Sequence, residues 1–202
     1  INAGRQVYIV YPLIEESKKM DLKNLEDGFE SICRYFNNEN YSIGVLHGKM
    51  KSENKDFEMN RFVKGETNIL VSTTVIEVGV NVPNASVMVI ENAERFGLSQ
   101  LHQLRGRVGR GEYDSHCILM TKDKMSPDAE TRINAMVSTN DGFKISEIDL
   151  KLRGPGDILG TQQSGVVDFK IADLTNDLEI FDLAKKEVKK LISNDPKLKH
   201  PN

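Results

Sequence analysis

Five short apolar runs, separated by stretches long enough to hold helices, constrain the fold of this chain more than any other feature. Residues 6–11, 42–47, 68–72, 86–90 and 116–120 are rich in Val, Ile, Leu, Tyr and Met and are bounded by polar, Gly or Pro residues, as buried strands are. Between the first two runs, Leu25, Phe29, Ile32, Cys33 and Phe36 recur at helical spacing, and Asn37 and Asn38 end the pattern. Between the second and third, Ser52 can cap a helix that carries Phe57, Phe62 and Val63 and stops at Gly65. Parallel strands need a crossover of a dozen residues or more, usually helical. The alternation therefore predicts an α/β domain with a mostly parallel sheet over residues 1–124.

Residues 125–202 read differently. Ser126 as N-cap and Pro127 in the first turn open a helix with an apolar face of Ile133, Met136 and Val137. A turn at 139–142 leads to a second helix with Ile145, Ile148 and Leu152, and so short a connection predicts an antiparallel helical hairpin. In residues 153–165, RGPGDILGTQQSG, four glycines and a proline exclude regular structure, which leaves a loop or a linker. Leu178, Phe181, Ala184, Val188, Leu191 and Ile192 then share one face of a final helix, expected to pack onto the body and to stop before Pro196.

At 39% hydrophobic and 28% charged residues, the composition is ordinary for a globular protein large enough to bury a core. No apolar run approaches the ~18 residues of a membrane span, and no signal peptide is visible. Cys33 and Cys117 are too few for a disulfide framework or a metal cluster, so a reducing cytoplasm is the expected compartment. The first strand pattern begins within six residues of Ile1, and the chain is expected to be part of a longer polypeptide. A net charge of −3 excludes a surface that coats nucleic acid by bulk charge, so any such contact must be local.

The densest chemistry lies in residues 100–111, QLHQLRGRVGRG. A helix from Leu98 places Leu98, Leu101, Leu104 and Val108 on one face and Gln100, Gln103 and Arg107 on another. Gly109 and Gly111 end the helix nearby and leave Arg110 at its mouth, while Gly106 and Gly109 clear space for another backbone or a ligand. Arginine suits a phosphate site because its planar fork stays charged and donates bidentately; the alternative is a solvated basic helix end.

In parallel α/β sheets, ligands gather at the carboxy ends of the strands. His47, Gly48 and Lys49 follow the second run, and Ser72, Thr73 and Thr74 end the third. Hydroxyls and backbone amides there can hold phosphate oxygens, which makes Ser72, Thr73 and Thr74 candidates for a DNA backbone. The same hydroxyls can instead cap a helix, and His47 can equally be a packing histidine.

The 100–111 stretch resembles motif VI of superfamily 2 helicases, and the chain as a whole is similar to the carboxy-terminal part of the RecG family of bacterial branched-DNA helicases. The segments around residues 47–50 and 73–83 resemble motifs IV and V, with Gly79 at the motif V glycine and Asn81 where relatives commonly carry an aspartate. Residues 91–97, ENAERFG, also match, and are expected to orient the arginine helix, with Glu91 a structural partner. The resemblance implies a RecA-like second lobe over residues 1–124. It further implies a helical hairpin, translocation loop and C-terminal helix over 125–202.

By the same resemblance, Arg107 and Arg110 reach ATP bound on a first lobe, with Gly79, Asn81 and Gln103 in nucleotide binding. His47, Gly48, Ser72, Thr73, Thr74, Arg153 and Gln163 would contact DNA or couple to it. ATP and Mg2+ would be held mainly by the first lobe, since this chain contains no GxxxxGK[ST] phosphate loop and no DExH-type motif. The chain alone is therefore expected to be inactive. Its expected partners are branched or double-stranded DNA and the first lobe and wedge domain of the same polypeptide, with no membrane. The transcription-repair coupling factors share the translocation element and form the neighbouring alternative; a non-catalytic DNA-binding or docking module is the alternative from another class.

Overall fold

Strand and helix alternate as the periodicity predicts, except between the third and fourth strands, where residues 75–80 lie outside the described residues. The computed structural model describes residues 1–12, 18–36, 40–74, 81–153 and 178–194. In chain order they form β1 (Gln6–Val10), α1 (Lys18–Tyr35), β2 (Ile43–Leu46), α2 (Ser52–Val63), β3 (Ile69–Ser72), β4 (Ala85–Ile90), α3 (Leu98–Arg105) and β5 (His116–Leu119). They are followed by α4 (Pro127–Ser138), α5 (Gly142–Arg153) and α6 (Leu178–Asn194). The contacts divide the chain into two compact units, Ile1–Ser146 and Glu147–Asn202.

All strands join one sheet in the order β2-β3-β1-β4-β5, and each pair is parallel. Parallel partners present the same face, and Val7 registers with Ile69 while Tyr8 registers with Leu70. On one face, Val7, Ile9, Ile43, Val45, Ile69 and Val71 pack with Leu25, Phe29 and Ile32 of α1. On the other, Tyr8 meets Phe62 of α2 with ring centroids 4.7 Å apart and tilted planes. Each such large apolar side chain withdrawn from water contributes roughly 1.5–3 kcal/mol, so the two faces together make the core.

Local chemistry sets most helix ends. Ser126 caps α4 by accepting from Ala129 N–H at 3.3 Å, with Pro127 in the first turn as expected. Ser52, by contrast, is the first helical residue of α2, and Lys51 occupies the N-cap without a side-chain hydrogen bond. α1 begins at Lys18, before the apolar repeat that starts at Leu25 and packs on the sheet. In α2, Phe62 is buried but Phe57 and Val63 are exposed; in α4, Ala129 and Ala135 join Met136 inside while Val137 is exposed. Periodicity locates these helices but rotates their buried faces by one position. In α6, Ile180, Leu183, Val188, Leu191 and Ile192 are exposed, and the side chains of Leu178 and Phe181, which head the expected apolar face, lie outside the described residues.

Burial at the centre of the sheet has a titratable consequence. The Tyr8 phenol is pushed up to about 12 by burial, with the Arg107 guanidinium pulling it down. An unfolded chain ionises this phenol near its ordinary value of 10.0, before the native state does. The stability it contributes is therefore complete below pH 10 and falls by roughly 2–3 kcal/mol as pH rises to 12. We expect Tyr8→Phe to lose less stability than wild type across this window, as checked by urea midpoints measured from pH 9 to 12.

Candidate nucleotide and nucleic-acid interface

Helix α3 is built as its sequence suggests but ends sooner. Leu98, Leu101 and Leu104 are fully buried, and Gln100 accepts the Gly97 N–H at 3.1 Å, closing the first turn. The helix stops at Arg105, with Gly106 as C-cap, and Val108 is buried from the turn beyond. The following loop depends on two glycines. Gly109 sits at φ +79°, where side chains are strained, and the Ser115 hydroxyl lies where its Cβ would be. A Cβ on Gly111 would collide with the Pro83 carbonyl, so the loop lies directly on the segment entering β4.

The three arginines have different surroundings. Arg105 donates from Nη1 to the carbonyls of Met136 at 2.8 Å and Thr139 at 2.9 Å, and its Nη2 lies 3.2 Å from His102 Nδ1. It thus caps the C-terminus of α4, where a cation complements the helix dipole. Arg107 is half-buried and close enough to Tyr8 to act on its phenol. Arg110 is exposed and donates from Nε to the Gly106 carbonyl at 2.8 Å. Its two terminal nitrogens make no hydrogen bond or ion pair among the described residues. Arg110 borders a cavity of about 530 Å³, lined also by Arg5, Pro83, Asn84, Glu112 and Tyr113.

This cavity opens at the amino end of the sheet, before β1, β4 and β5. Asn81 stands exposed two residues ahead of Pro83, and Gln103 is exposed on α3. Gly79 lies outside the described residues, as does Gln163; Arg153 ends α5, and its side chain is not described. The opposite, carboxy end carries the candidates for DNA. His47 is half-buried there, Gly48 is exposed, and burial holds the imidazole below its usual pKa against Glu26 and together with Lys49 and Lys55. Thr73 is fully buried, its hydroxyl without a hydrogen-bond partner among the described residues, and Thr74 is half-buried. Ser72 departs from expectation. Its buried hydroxyl lies 2.9 Å from the Leu46 carbonyl and 2.7 Å from that of Thr73, tying the ends of β2 and β3 together rather than offering a donor to DNA.

The 91–97 segment does orient α3. Ala93 N–H bonds the Met120 carbonyl at 2.8 Å, Ala93 and Phe96 are buried, and Arg132 of α4 donates to the Glu94 carbonyl at 3.0 Å. Glu91 is half-buried, and burial raises its carboxyl above the ordinary value. A larger cavity of about 720 Å³ lies behind α3, between β5 and α4, bounded by His102, Arg105, Cys117, Ile133 and Met136. Burial pushes the Cys117 thiol up to about 11, and Arg105 opposes it. None of the predicted site residues lines that cavity. Among the described residues, no three His, Cys, Asp or Glu side chains gather as a metal site, and no helix is long and apolar enough to cross a membrane.

Both the sequence and the fold are matched by known proteins. The helicase conserved C-terminal domain matches residues 1–112. This chain belongs to that helicase family. A second signature, that of the C-terminal part of domain 3 of ATP-dependent DNA helicase RecG, matches residues 139–202. The chain is 53% identical to RecG of Synechocystis sp. over 200 residues, covering 98% of this chain and 24% of that protein. It is 50% identical to RecG of Bacillus subtilis over 201 residues, covering 100% and 29%. A solved structure of RecG bound to a three-way DNA junction superposes with a TM-score of 0.66 at 46% identity, covering 90% of this chain and 22% of the other. Domain 2 of the DEAD-box helicase Mss116p shares the fold, with a TM-score of 0.53 at 19% identity, covering 69% and 50%. The chain thus spans about a quarter of the length of the curated relatives it matches, and its resemblance to the carboxy-terminal part of RecG extends over nearly all of it.

The packing of Gly111 against Pro83 is testable within this helicase lobe. Gly111→Ala must move either the loop or the entry to β4, at a cost of roughly 1–3 kcal/mol. The expected readout is a lowered thermal midpoint, whereas Gly48→Ala, at a glycine with open space around it, should leave the midpoint within about a degree.

Proposed function

We propose that this chain is the second lobe, with its following helical segment, of an ATP-dependent DNA helicase that remodels branched DNA. In this reading ATP binds between this lobe and a first lobe that carries the phosphate loop and the Mg2+ site, in the cytoplasm. The observation that carries it is the contrast between Arg105 and Arg110. Arg105 is engaged in closing α4, whereas Arg110 is exposed, is held at Nε and borders the cavity at the amino end of the sheet.

ATP, when bound, supplies the phosphoanhydride that is cleaved; this chain's part is to orient it and to stabilise charge. Phosphoryl transfer depends mostly on positioning and on charge stabilisation at the equatorial oxygens. Arg110 suits that task because Nη1 and Nη2 can meet two oxygens at once while the Nε bond to Gly106 fixes the plane of the fork. Arg107, half-buried, would approach from beside the sheet, and Asn81 could hydrogen-bond a ribose hydroxyl as donor or acceptor. DNA would pass the other end of the sheet, with His47, Gly48, Thr73 and Thr74 near its phosphates, and the segment containing Arg153 and Gln163 coupling lobe closure to movement along duplex.

The test is DNA-stimulated ATP turnover by a polypeptide that joins this chain to a first lobe. Arg110→Lys keeps the charge but loses the fork, and kcat should fall on the order of 10²- to 10³-fold with nucleotide affinity largely retained. Arg105→Ala should instead lower the thermal midpoint. Unchanged turnover in Arg110→Lys would remove the hydrolytic role and leave a DNA-binding or docking module.

A further inference from the structure

A continuous chain of polar side chains runs along the amino end of the sheet, outside every motif that the helicase reading uses. It starts at Gln6, which is 2% exposed and donates from Nε2 to the carbonyls of Phe62 at 2.6 Å and Thr67 at 2.8 Å. The Gln6 Oε1 accepts from Asn84 Nδ2 at 3.2 Å, and the same Nδ2 donates to the Gly4 carbonyl at 2.8 Å. Asn84 Oδ1 in turn accepts from Arg5 Nη1 at 2.7 Å. The Arg5 guanidinium then lies over the ring of Tyr113, 3.1 Å from its centroid.

The direction of this chain is forced. A guanidinium has donors and no acceptor, so Asn84 must turn its oxygen to Arg5 and its nitrogen to Gln6. Gln6 must then turn its nitrogen to the two backbone carbonyls, and both carboxamides end with their donors used. Its far end is the loop that holds Arg110. Tyr113 lies three residues beyond Arg110, and Gly111 between them rests on the Pro83 carbonyl, immediately before Asn84. Arg5, Asn84, Tyr113 and Arg110 line the same cavity, with Glu112 as the acidic group among them.

We propose that Gln6, Asn84 and Arg5 form a positioning ladder that sets Arg110 by holding the 110–113 loop against the end of the buried sheet. This rests on the proposed hydrolytic role of Arg110. A guanidinium gripped only by its own helix end would swing with the loop. With Tyr113 clamped under Arg5 and Gly111 seated on Pro83, the loop is referenced to β1 and β4 instead. A displacement of about 1 Å at such a group can lower a rate by up to about 10²-fold without changing binding.

The experiment is a mutant cycle in the polypeptide that joins this chain to a first lobe. Arg5→Gln keeps a donor for Asn84 but removes the cation from Tyr113; Tyr113→Leu removes the ring from an exposed position. Both should lower kcat for DNA-stimulated ATP turnover about tenfold with KM within about twofold. Both should also speed amide exchange at residues 107–113. In an Arg110→Ala background, neither should lower kcat further. Unchanged kcat in Arg5→Gln and Tyr113→Leu overturns the proposal, as does a full additional loss in the Arg110→Ala background, which marks a general effect on the fold. If Arg110→Ala alone leaves turnover intact, the hydrolytic reading fails and the ladder's role fails with it. If Arg110→Ala abolishes turnover while Arg5→Gln does not change it, only the ladder is overturned.

Discussion

Strand β1 pairs with β3 on one side and β4 on the other, and the rest of the first unit depends on that double engagement. Both backbone edges are consumed, so nothing can approach β1 except through side chains on its two faces or residues at its two ends. Its faces are sealed by α1 on one side and Phe62 on the other. Chemistry is left to the ends. One receives the hydroxyl-rich exits of β2 and β3, the other the entries of β4 and β5 with the Arg110 loop. A strand of four to six residues, at about 3.3 Å each, keeps those ends roughly 13–20 Å apart.

Much of this is legible in residue patterns, for identifiable reasons. Strands in the sheet appear as unbroken apolar runs, and all five runs fall within a residue or two of the strand ends; β5, at the sheet edge, is the exception to the expected burial, with His116 and Ile118 exposed. Helix α3 is legible because Leu98, Leu101 and Leu104 keep strict spacing, and α4 because Ser126 and Pro127 are unambiguous as a start. Failures arise where spacing underdetermines rotation: Val137 adjoins Met136 in sequence but lies on the outer side of α4.

Site chemistry is harder to read, because identical side chains take their roles from partners far away in sequence. Arg105 and Arg110 differ by five positions, yet one caps a helix through Met136 and Thr139 while the other faces a cavity. Ser72 looks equivalent to Thr73 and Thr74 in sequence, but only the structure shows its hydroxyl closing β2 onto β3. Gln6, Asn84 and Arg5 give no signal at all. A glutamine at the head of a strand and an asparagine in a turn are ordinary residues, and their link spans 78 positions.

The amino-end ladder has a further consequence for order within the lobe. Each carboxamide in it can be placed in two ways, but the orientation of one dictates that of the next, and Arg5 permits a single answer. The row therefore cannot be half reversed: disturbing one link strands a buried donor against a donor or an acceptor against an acceptor at its neighbour. Order is thereby shared along the row, and the end of α2 and the loop beyond α3, far apart in the chain, are tied to each other through the head of β1.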